Sequence, residues 1–263
     1  MTGEPSRHTG NEDGSFYDPV KKAEATSRIV CRGNQRKYYR FRPARFYGGI
    51  GTADCLGCCL QCAFCWSWDK VLKPGRFGQF YSPEQVAGKL TAMAYKKGFK
   101  QVRISGNEPT LAREHLLQVL GQIPGHIRFI LETNGILIGH DSAYARDLAR
   151  FESLYVRVSL KGASEAEFAK LTGAEPAAYG LQFQALENLV RAHVTVHPAV
   201  MVSFSTRENI RVLRKRLTEI HEDFEDFEVE EVALYGKVEE RLMKAGLFYD
   251  NSYIPENIPP EQV

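Results

Sequence analysis

The fold and the chemistry of the chain centre on residues 55–68, which read CLGCCLQCAFCWSW. Five of the six cysteines lie within eleven of these residues. Cys58, Cys62 and Cys65 have the spacing Cys-x3-Cys-x2-Cys, and the aromatic Phe64 directly precedes the last of them. Three thiolates on one short loop suit a cubane iron–sulfur cluster, which is held by soft sulfur ligands. With only three protein ligands, one iron is left open to bind a substrate or a cofactor.

The same cysteines allow other interpretations. The triad of Cys55, Cys59 and Cys62 has the same spacing, but Gln61 takes the aromatic position. The candidate ligands of a structural zinc site are Cys55, Cys58, Cys62 and Cys65. Zinc modules usually separate their two cysteine pairs by a dozen or more residues, whereas only three residues intervene here. A disulfide framework is typical of a short secreted chain, which this sequence does not resemble.

The segment CCLQCAFC, residues 58–65, resembles the signature loop of the radical S-adenosylmethionine (SAM) enzymes, Cys-x3-Cys-x-aromatic-Cys. The resemblance implies that Cys58, Cys62 and Cys65 hold a 4Fe–4S cluster whose open iron is chelated by SAM. An electron, delivered by a donor such as flavodoxin or ferredoxin, then cleaves SAM to methionine and a 5′-deoxyadenosyl radical. Because this radical abstracts hydrogen from a substrate, the resemblance implies an oxidoreductase or activase-like enzyme.

Composition places the chain among globular proteins. Its 263 residues, 43% hydrophobic and 25% charged, suffice for one large α/β domain or two small ones. The sequence contains no run of eighteen apolar residues, so no membrane span is predicted. The first residues are polar and lack an apolar signal region. Clustered thiols without a secretion signal predict a reducing, cytoplasmic location. The net charge of +2 does not discriminate between partners.

Strand and helix patterns alternate from residue 47 onward. Strand-like segments such as QVRIS, RFILET and YVRVSL are each followed by helical spacing of apolar residues. This alternation predicts an α/β fold with a parallel sheet. The resemblance implies a partial (β/α)6 radical SAM barrel with an N-terminal extension and a short C-terminal helix and tail. Four units are predicted: a disordered tail (residues 1–25), a basic and aromatic extension (26–46), the barrel (47–236), and the C-terminal helix and tail (237–263).

Alternate residues of three predicted barrel strands form one polar set. Its members are Arg103, Ser105, Glu132, Asn134, Arg157, Ser159 and Lys161. Since alternate residues of a barrel strand face its interior, this set is predicted to line the interior. A purely structural barrel core is filled with branched apolar side chains. The polar set therefore predicts a cavity whose side chains are satisfied by water or by a charged ligand.

The strand at residues 101–105 ends in the sequence SGNEP, residues 105–109. This motif resembles the Gly-Gly-Glu-Pro motif that holds the SAM amino group in radical SAM enzymes, with Asn107 in place of the second glycine. The resemblance implies that Gly106 and Glu108 hold that amino group. A glycine also allows a ligand to approach the backbone closely.

Two further stretches resemble the activating-enzyme branch, typified by pyruvate formate-lyase activating enzyme. They are LETNG at residues 131–135 and SLKG at residues 159–162, where the branch has Asp-Thr-Asn-Gly and Asp-x-Lys. The resemblance implies cofactor contacts for Glu132, near the SAM carboxylate and a bound cation, and for Asn134. It implies the same for Ser159 and Lys161, which would meet the ribose or the carboxylate, although Ser159 replaces the branch aspartate. The backbone near Phe64 would contact the adenine.

A basic segment, residues 28–47, precedes the barrel and reads RIVCRGNQRKYYRFRPARFY. Its seven basic and five interleaved aromatic residues, without an acidic one, are compatible with nucleic-acid binding. They are equally compatible with a basic collar around an anionic peptide or small substrate, and with an ordinary strand. Cys31, Cys55 and Cys59 remain either free thiols or ligands of an auxiliary cluster that would need a non-cysteine ligand.

The sequence leaves the substrate open. The first hypothesis is a protein or peptide substrate, and the second is a tRNA base. A small molecule is a third candidate, and a non-enzymatic zinc or iron–sulfur protein is the alternative to all three. No residue stands out as a catalytic base or as a group that quenches the substrate radical.

Overall fold

A computed structural model describes residues 15–259. Its strands are β1 (Cys31–Arg32), β2 (Gln35–Ala44), β3 (Ile50–Cys55), β4 (Gln79–Tyr81), β5 (Gln101–Ser105), β6 (Arg128–Thr133), β7 (Leu154–Leu160), β8 (Thr195–Met201), β9 (Glu228–Glu230), β10 (Val232–Ala233) and β11 (Ser252–Tyr253). Its α-helices are α1 (Pro19–Val30), α2 (Trp68–Leu72), α3 (Pro83–Lys97), α4 (Arg113–Leu120), α5 (Ile136–His140), α6 (Ser142–Leu148), α7 (Glu165–Thr172), α8 (Tyr179–Arg191), α9 (Arg207–Ile220) and α10 (Val238–Lys244). None of these helices is long and apolar enough to cross a bilayer.

Six parallel strands form the centre of the fold. They run in the order β3-β5-β6-β7-β8-β9, and helices connect them, as the alternating sequence pattern predicts. Within residues 15–259, β3 and β9 do not pair with each other, so the barrel is open. The prediction of a partial (β/α)6 barrel is confirmed. The carboxyl ends of all six strands meet at one edge, where active sites of β/α barrels lie.

Local sequence explains the main elements. Helix α3 begins at Pro83 behind a capping box, in which Ser82 and Gln85 each accept from the other's backbone N–H. It ends at Gly98, which has the left-handed conformation that glycine adopts without strain. On β7, the β-branched Val156 and Val158 alternate with polar residues and are fully buried under the helices. This alternation leaves the polar residues on the concave face.

The N-terminal region is more ordered than the sequence analysis expected. The disorder predicted for residues 1–25 is wrong at residues 19–25, which belong to α1; residues 1–14 lie outside the described residues. Asp18 caps this helix by accepting from the backbone N–H groups of Val20 and Lys21. Ala23 and Val30 are buried against the core, so α1 is stabilised by packing as well as by its cap.

The basic segment forms an additional edge of the sheet. Strand β2 pairs antiparallel with β3, and β1 and β4 pair with β2. At the opposite end of the chain, α10 buries Val238 and Leu242 in a second apolar cluster, beside Leu171 and Met201 of the barrel. The chain therefore closes onto its own barrel at both ends of the described region.

Candidate active site

The cysteine loop, residues 56–67, connects β3 to α2 and contacts the loops that follow the neighbouring strands. The backbone N–H of Gly57 donates to Asn107 Oδ1 at 2.9 Å. The N–H of Gln61 donates to the Tyr17 hydroxyl at 2.8 Å, and the N–H of Ala63 donates to the Leu171 carbonyl at 2.8 Å. Because these anchors come from three separate parts of the chain, the loop has a defined shape although it contains no regular secondary structure.

A fourth anchor comes from the C-terminal helix. Arg241 Nε donates to the Ala63 carbonyl, and Arg241 Nη2 donates to the Cys65 carbonyl, each at 2.6 Å. The guanidinium also lies over the Trp68 ring, 4.7 Å from its centroid. A planar guanidinium can make both kinds of contact at once, which a lysine cannot. No sequence signal identifies this residue, since nothing near Arg241 indicates a contact with the cysteines.

Three thiols of the loop share one electrostatic environment. Cys58, Cys62 and Cys65 interact with one another and with the ammonium of Lys161. Burial raises the pKa of Cys62 and raises that of Cys65 to about 11, while Lys161 acts in the opposite direction on both. The pKa of Cys58 is lowered, first by its hydrogen bond with Cys59. These are the three cysteines of the signature spacing.

The remaining cysteines point elsewhere. Cys55 and Cys31 both interact with the buried guanidinium of Arg36. Cys59 is fully buried and receives a hydrogen bond from Asn134 Nδ2, with the nitrogen 3.3 Å from the sulfur. The auxiliary cluster on Cys31, Cys55 and Cys59 and the alternative triad of Cys55, Cys59 and Cys62 stay untested predictions.

The donor set of the loop suits an iron–sulfur cluster. Thiolate is the ligand that such clusters use, and each of the three thiolates would bind a different iron of a cubane. Thiolate is also a ligand of tetrahedral zinc, which takes four donors. Among the described residues, no group of three His, Cys, Asp or Glu side chains is placed to hold a metal ion. The assignment to Cys58, Cys62 and Cys65 stays a prediction.

Glu108 has a structural role that its motif did not indicate. Its side chain is buried, and its two carboxylate oxygens accept four hydrogen bonds. The donors are the N–H and hydroxyl of Thr110, the hydroxyl of Thr133 and the N–H of Asn134. The carboxylate therefore joins the loop after β5 to the loop after β6. The predicted contact of Glu108 with the SAM amino group stays untested, and this carboxylate has no unused oxygen directed to solvent.

Gly106 and Asn107 bring the loop after β5 against the cysteine loop. Gly106 has a φ of +101°, and a Cβ there would lie 3.0 Å from the backbone N and O of Cys55. Only glycine permits this conformation at such a close approach. Asn107 replaces the second glycine of the motif and uses its side-chain oxygen to hold Gly57. Its Nδ2 is buried without a partner among the described residues, so the substitution adds an anchor and leaves one donor available.

The polar set of the barrel interior lies on one face, as the alternation predicts, and most of it is paired internally. Glu132 accepts from Arg103 at 2.5 Å, from Ser105 at 2.6 Å and from the Tyr47 hydroxyl at 3.0 Å. Burial is the largest single effect and acts to raise the pKa of Glu132, but the charges of Arg103 and Arg157 and the hydrogen bonds from Ser105 and Tyr47 together outweigh it, so the pKa is lowered. Asn134 departs from the prediction, since its side chain turns toward Cys58 and Cys59.

A second ion-pair network lies on β7 and β9. Arg157 forms ion pairs with Glu228 at 2.6 Å and Glu230 at 2.7 Å, and Ser159 donates to Glu230 at 2.6 Å. Lys161 donates to Ser159 and lies 3.8 Å from Glu230. The expectation that a ligand or water must satisfy this face is therefore wrong for most of it, because carboxylates of β9 do so. Lys161 is a cation whose charge acts on all three thiols.

Phe64 and Gln182 complete the surroundings of the loop. The half-buried Phe64 ring stacks on Phe204, with centroids 5.7 Å apart, so its side chain belongs to the second apolar cluster. Gln182 of α8 is fully buried and donates to the carbonyls of Asn134 at 2.6 Å and Ser159 at 3.0 Å. It fixes the ends of β6 and β7 relative to each other. A polar residue in an otherwise apolar helix face was the signal that could have identified it.

Comparison with known proteins supports one family. The sequence model of the Radical SAM superfamily matches residues 55–217, more than half of the chain. No curated protein sequence matches the chain. The matched region starts at β3 and ends in α9, so it contains the cysteine loop and the parallel strands up to β8.

Solved structures show the same fold. SuiB of Streptococcus suis bound to precursor peptide SuiA is similar with a TM-score of 0.58 and 16% identity, over 78% of this chain and 48% of that one. Native anSMEcpe with bound AdoMet is similar with a TM-score of 0.51 and 21% identity, over 67% and 49%. Native anSMEcpe with bound AdoMet and Kp18Cys peptide is similar with a TM-score of 0.50 and 20% identity, over 67% of this chain and 48% of that one. The chain spans about half the length of these proteins.

Proposed function

Because the chain belongs to the radical SAM superfamily, we propose that it binds a 4Fe–4S cluster through Cys58, Cys62 and Cys65 and uses SAM to abstract hydrogen from a peptide or protein. Membership of the family makes the chain an enzyme that uses SAM. The cluster ligands, the activase-like class and the substrate are the proposed part. The alternative of a non-enzymatic zinc or electron-transfer protein is set aside, because the family consists of enzymes.

The observation that carries the proposal is the common environment of the three signature thiols. They interact with one another and with Lys161, at the edge where the parallel strands end. A cluster with three thiolate ligands brings net negative charge into a buried site, and one ammonium beside it offsets part of that charge. Of the other three, Cys59 is hydrogen-bonded to Cys58, and Cys31 and Cys55 lie beside Arg36.

Bound at this site, the cluster supplies the electron that cleaves SAM, and SAM supplies the group that removes hydrogen from the substrate. The chain's own residues bind, orient and exclude water. Asn134 Nδ2 lies 3.6 Å from the Cys58 sulfur and donates toward it, which stabilises a thiolate there. Tyr17, Leu171 and Arg241 hold the backbone of the loop against the barrel.

SAM would lie along the ends of β5, β6 and β7. Gly106 permits a close approach of backbone, and Asn107 offers an unpaired amide N–H group. Both the amide N–H group and the SAM amino group are donors, so we place the SAM carboxylate near Asn107. The SAM amino group would lie near the backbone at Gly106 and not on the Glu108 carboxylate, which already accepts four hydrogen bonds. Ser159 and Lys161 remain the proposed contacts of the ribose or carboxylate, and Glu132 lies on the same face.

A peptide substrate is supported by two observations. The solved structures with this fold include SuiB bound to a precursor peptide and anSMEcpe with a bound peptide. The tRNA alternative needs exposed aromatic rings on which bases stack. In the basic segment, Tyr38 is buried and Phe41 packs between Tyr38 and Tyr81, so two of the five rings are not available. Tyr47 is exposed, and its hydroxyl is bonded to Glu132. The electron donor is proposed to be a protein of the flavodoxin or ferredoxin kind.

The test is SAM cleavage by the anaerobically reconstituted, dithionite-reduced protein, with 5′-deoxyadenosine measured by chromatography. The proposal predicts product from the wild-type protein and from Cys59→Ala, and none from Cys62→Ala. A wild-type protein that carries a cluster and binds SAM but forms no 5′-deoxyadenosine with any peptide, RNA or metabolite fraction would overturn it.

A further inference from the structure

Two arginines of β2 are held by one buried carboxylate. Arg40 Nε lies 2.6 Å from Asp54 Oδ2, and Arg42 Nε lies 3.0 Å from the same oxygen. Asp54 belongs to β3 and is completely buried. Thr52, two residues before Asp54 on β3, accepts a hydrogen bond from Arg103 on the concave face. Because Arg40 pairs with Asp54 and Arg42 pairs with Thr52, both arginines lie on the same face, one strand beyond the parallel sheet.

The charges of this group do not balance. Two guanidinium groups carry one positive charge each, and Asp54 supplies one negative charge. Within residues 15–259 the terminal nitrogens of both guanidinium groups make no hydrogen bond, and Asp54 Oδ1 is buried without a partner. The side chain of Arg40 is 42% exposed and that of Arg42 is 27% exposed. The group therefore presents oriented and unused donors with an excess of positive charge.

The two arginines lie between a cavity and the cysteine loop. The Arg40 guanidinium is 5.9 Å from the ring centroid of Trp66, the residue that follows Cys65. Arg42 lines a cavity of about 770 Å³ together with Arg45, Phe46 and Tyr235. The cavity has cationic and aromatic walls and opens to solvent. A chain segment seated in it would reach the cysteine loop along Arg42 and Arg40.

We propose that Arg40 and Arg42 bind a side-chain carboxylate of an acidic peptide substrate and direct that peptide toward the cysteine loop. This inference rests on the proposed function, since it names the class of peptide on which the enzyme acts. A guanidinium matches a carboxylate with two parallel N–H donors, and prior orientation by Asp54 lowers the conformational cost of that contact. Asp54 is a positioning residue that acts through the two arginines.

An acidic peptide fits better than a nucleic acid. Two basic groups of the basic segment are used inside the fold: Arg36 is buried on the carbonyls of Leu56 and Glu108, and Lys37 is bonded to Gly75. Arg28 and Arg32 are exposed but do not line the cavity. A polynucleotide backbone needs a continuous row of exposed cations. A pair of oriented arginines beside an aromatic cavity matches one or two carboxylates on a flexible chain.

The probe is a fluorescein-labelled decapeptide of alternating Glu and Gly, and a Gln and Gly peptide of the same length is its neutral counterpart. Binding to the reconstituted holoprotein with SAM is measured by anaerobic fluorescence anisotropy at two salt concentrations. The wild-type protein is expected to bind the Glu peptide about tenfold more tightly than the Gln peptide, with the difference reduced at high salt. A labelled single-stranded RNA decamer is measured in parallel.

Single substitutions keep the fold, because each leaves Asp54 with one arginine. Arg40→Gln and Arg42→Gln are each expected to weaken binding of the Glu peptide about tenfold, and Arg42→Lys is expected to weaken it less. Arg146→Gln, which removes an exposed arginine of α6, is the matched control and should bind like wild type. Iron content and circular dichroism confirm that each variant is loaded and folded.

Equal binding of the two peptides, or unchanged binding of the Glu peptide in both arginine variants, would overturn the inference. Tighter binding of RNA than of the Glu peptide, lost in the same variants, would overturn the peptide class. If wild-type protein cleaves SAM but does not prefer the Glu peptide, only this inference fails. If it does not cleave SAM at all, the proposed function fails independently of the peptide result.

Discussion

Arg241 donates a hydrogen bond to the carbonyl oxygen of Cys65 at 2.6 Å, although the two residues are 176 positions apart in the sequence. The same guanidinium bonds to Ala63 and lies over Trp68. Burial lowers the pKa of Arg241, while the nearby Cys65 acts to raise it. The C-terminal helix α10 is therefore a structural part of the cysteine loop, and it lies beyond the region that the family model matches.

Replacing Arg241 is expected to weaken the loop without removing a thiol. Arg241→Gln loses both hydrogen bonds to the loop and the contact with Trp68, so the free energy of unfolding should fall by about 2 kcal/mol. Iron bound per chain after desalting should fall as well. Arg241→Lys keeps the positive charge but lacks the planar guanidinium, so its stability and iron content should lie between those of Arg241→Gln and wild type. Arg211→Gln, which removes an exposed arginine of α9, is the matched control. Equal iron retention in Arg241→Gln and wild type would show that the contact has no role in holding the loop.

The thiol environments predict which cysteines retain iron. Alanine at Cys58, Cys62 or Cys65 should abolish the visible absorbance of the cluster after reconstitution, because each change removes one ligand. Alanine at the neighbouring Cys59, whose thiol contacts Asn134, should leave most of the iron bound. The measurement is iron and sulfide per chain with the absorbance spectrum. Loss of the cluster in Cys59→Ala, with retention in Cys58→Ala, would favour the alternative triad.

Glu108 offers a test that separates stability from cofactor binding. Glu108→Gln places an amide N–H group where four donors now point at a carboxylate, and it should lower the free energy of unfolding by about 2–3 kcal/mol. Glu114→Gln changes an exposed carboxylate of α4 and should change the free energy of unfolding by less than about 0.5 kcal/mol. Urea titration measures both. A Glu108→Gln protein as stable as wild type that no longer binds SAM would restore the direct contact implied by the motif.

His115 makes stability depend on pH. It lies 2.9 Å from the Tyr38 hydroxyl and 2.7 Å from the Asn34 carbonyl, and burial lowers its pKa from 6.5 to about 4. The folded state therefore disfavours the proton that the unfolded chain accepts, so stability is complete above pH 6.5 and falls as the pH drops toward 4. Between pH 7 and pH 5 the loss should be about 2 kcal/mol in urea titrations.

The variant His115→Gln should lose this pH dependence, whereas His126→Gln, at an exposed histidine, should keep it. Urea titrations of both variants at the two pH values make the comparison. A slope in His115→Gln equal to that of wild type would assign the dependence to other groups, such as the carboxylates of the barrel interior.

Local patterns in the sequence predict much of the fold. The capping residues of α3 and the alternation on β7 act over a few residues, so they are visible without a structure. The cysteine spacing is equally local, and it selects Cys58, Cys62 and Cys65. These signals specify which elements form and which face of each element is apolar. They also specify which residues end a strand at the edge where the carboxyl ends of the parallel strands meet.

Partners distant in sequence were not predictable in the same way. Arg157 was placed on the concave face, but its carboxylates belong to β9, 71 residues or more along the chain. Similarly, the sequence shows Arg40 and Arg42 as part of a basic stretch, whereas Asp54 on the next strand determines their orientation. Such pairs depend on strand register, which no local pattern encodes. Helix α1 was missed because polar composition outweighed its cap and its few apolar contacts.

The most direct test of the central claim is a Mössbauer spectrum of the anaerobically reconstituted protein, recorded before and after SAM is added. Three thiolates leave one iron of the cluster with a different ligand, so one quarter of the iron signal should be distinct and should shift when SAM binds. The remaining three quarters should not change. A spectrum with four equivalent irons that SAM does not alter would contradict the account, and so would protein that retains zinc in place of iron.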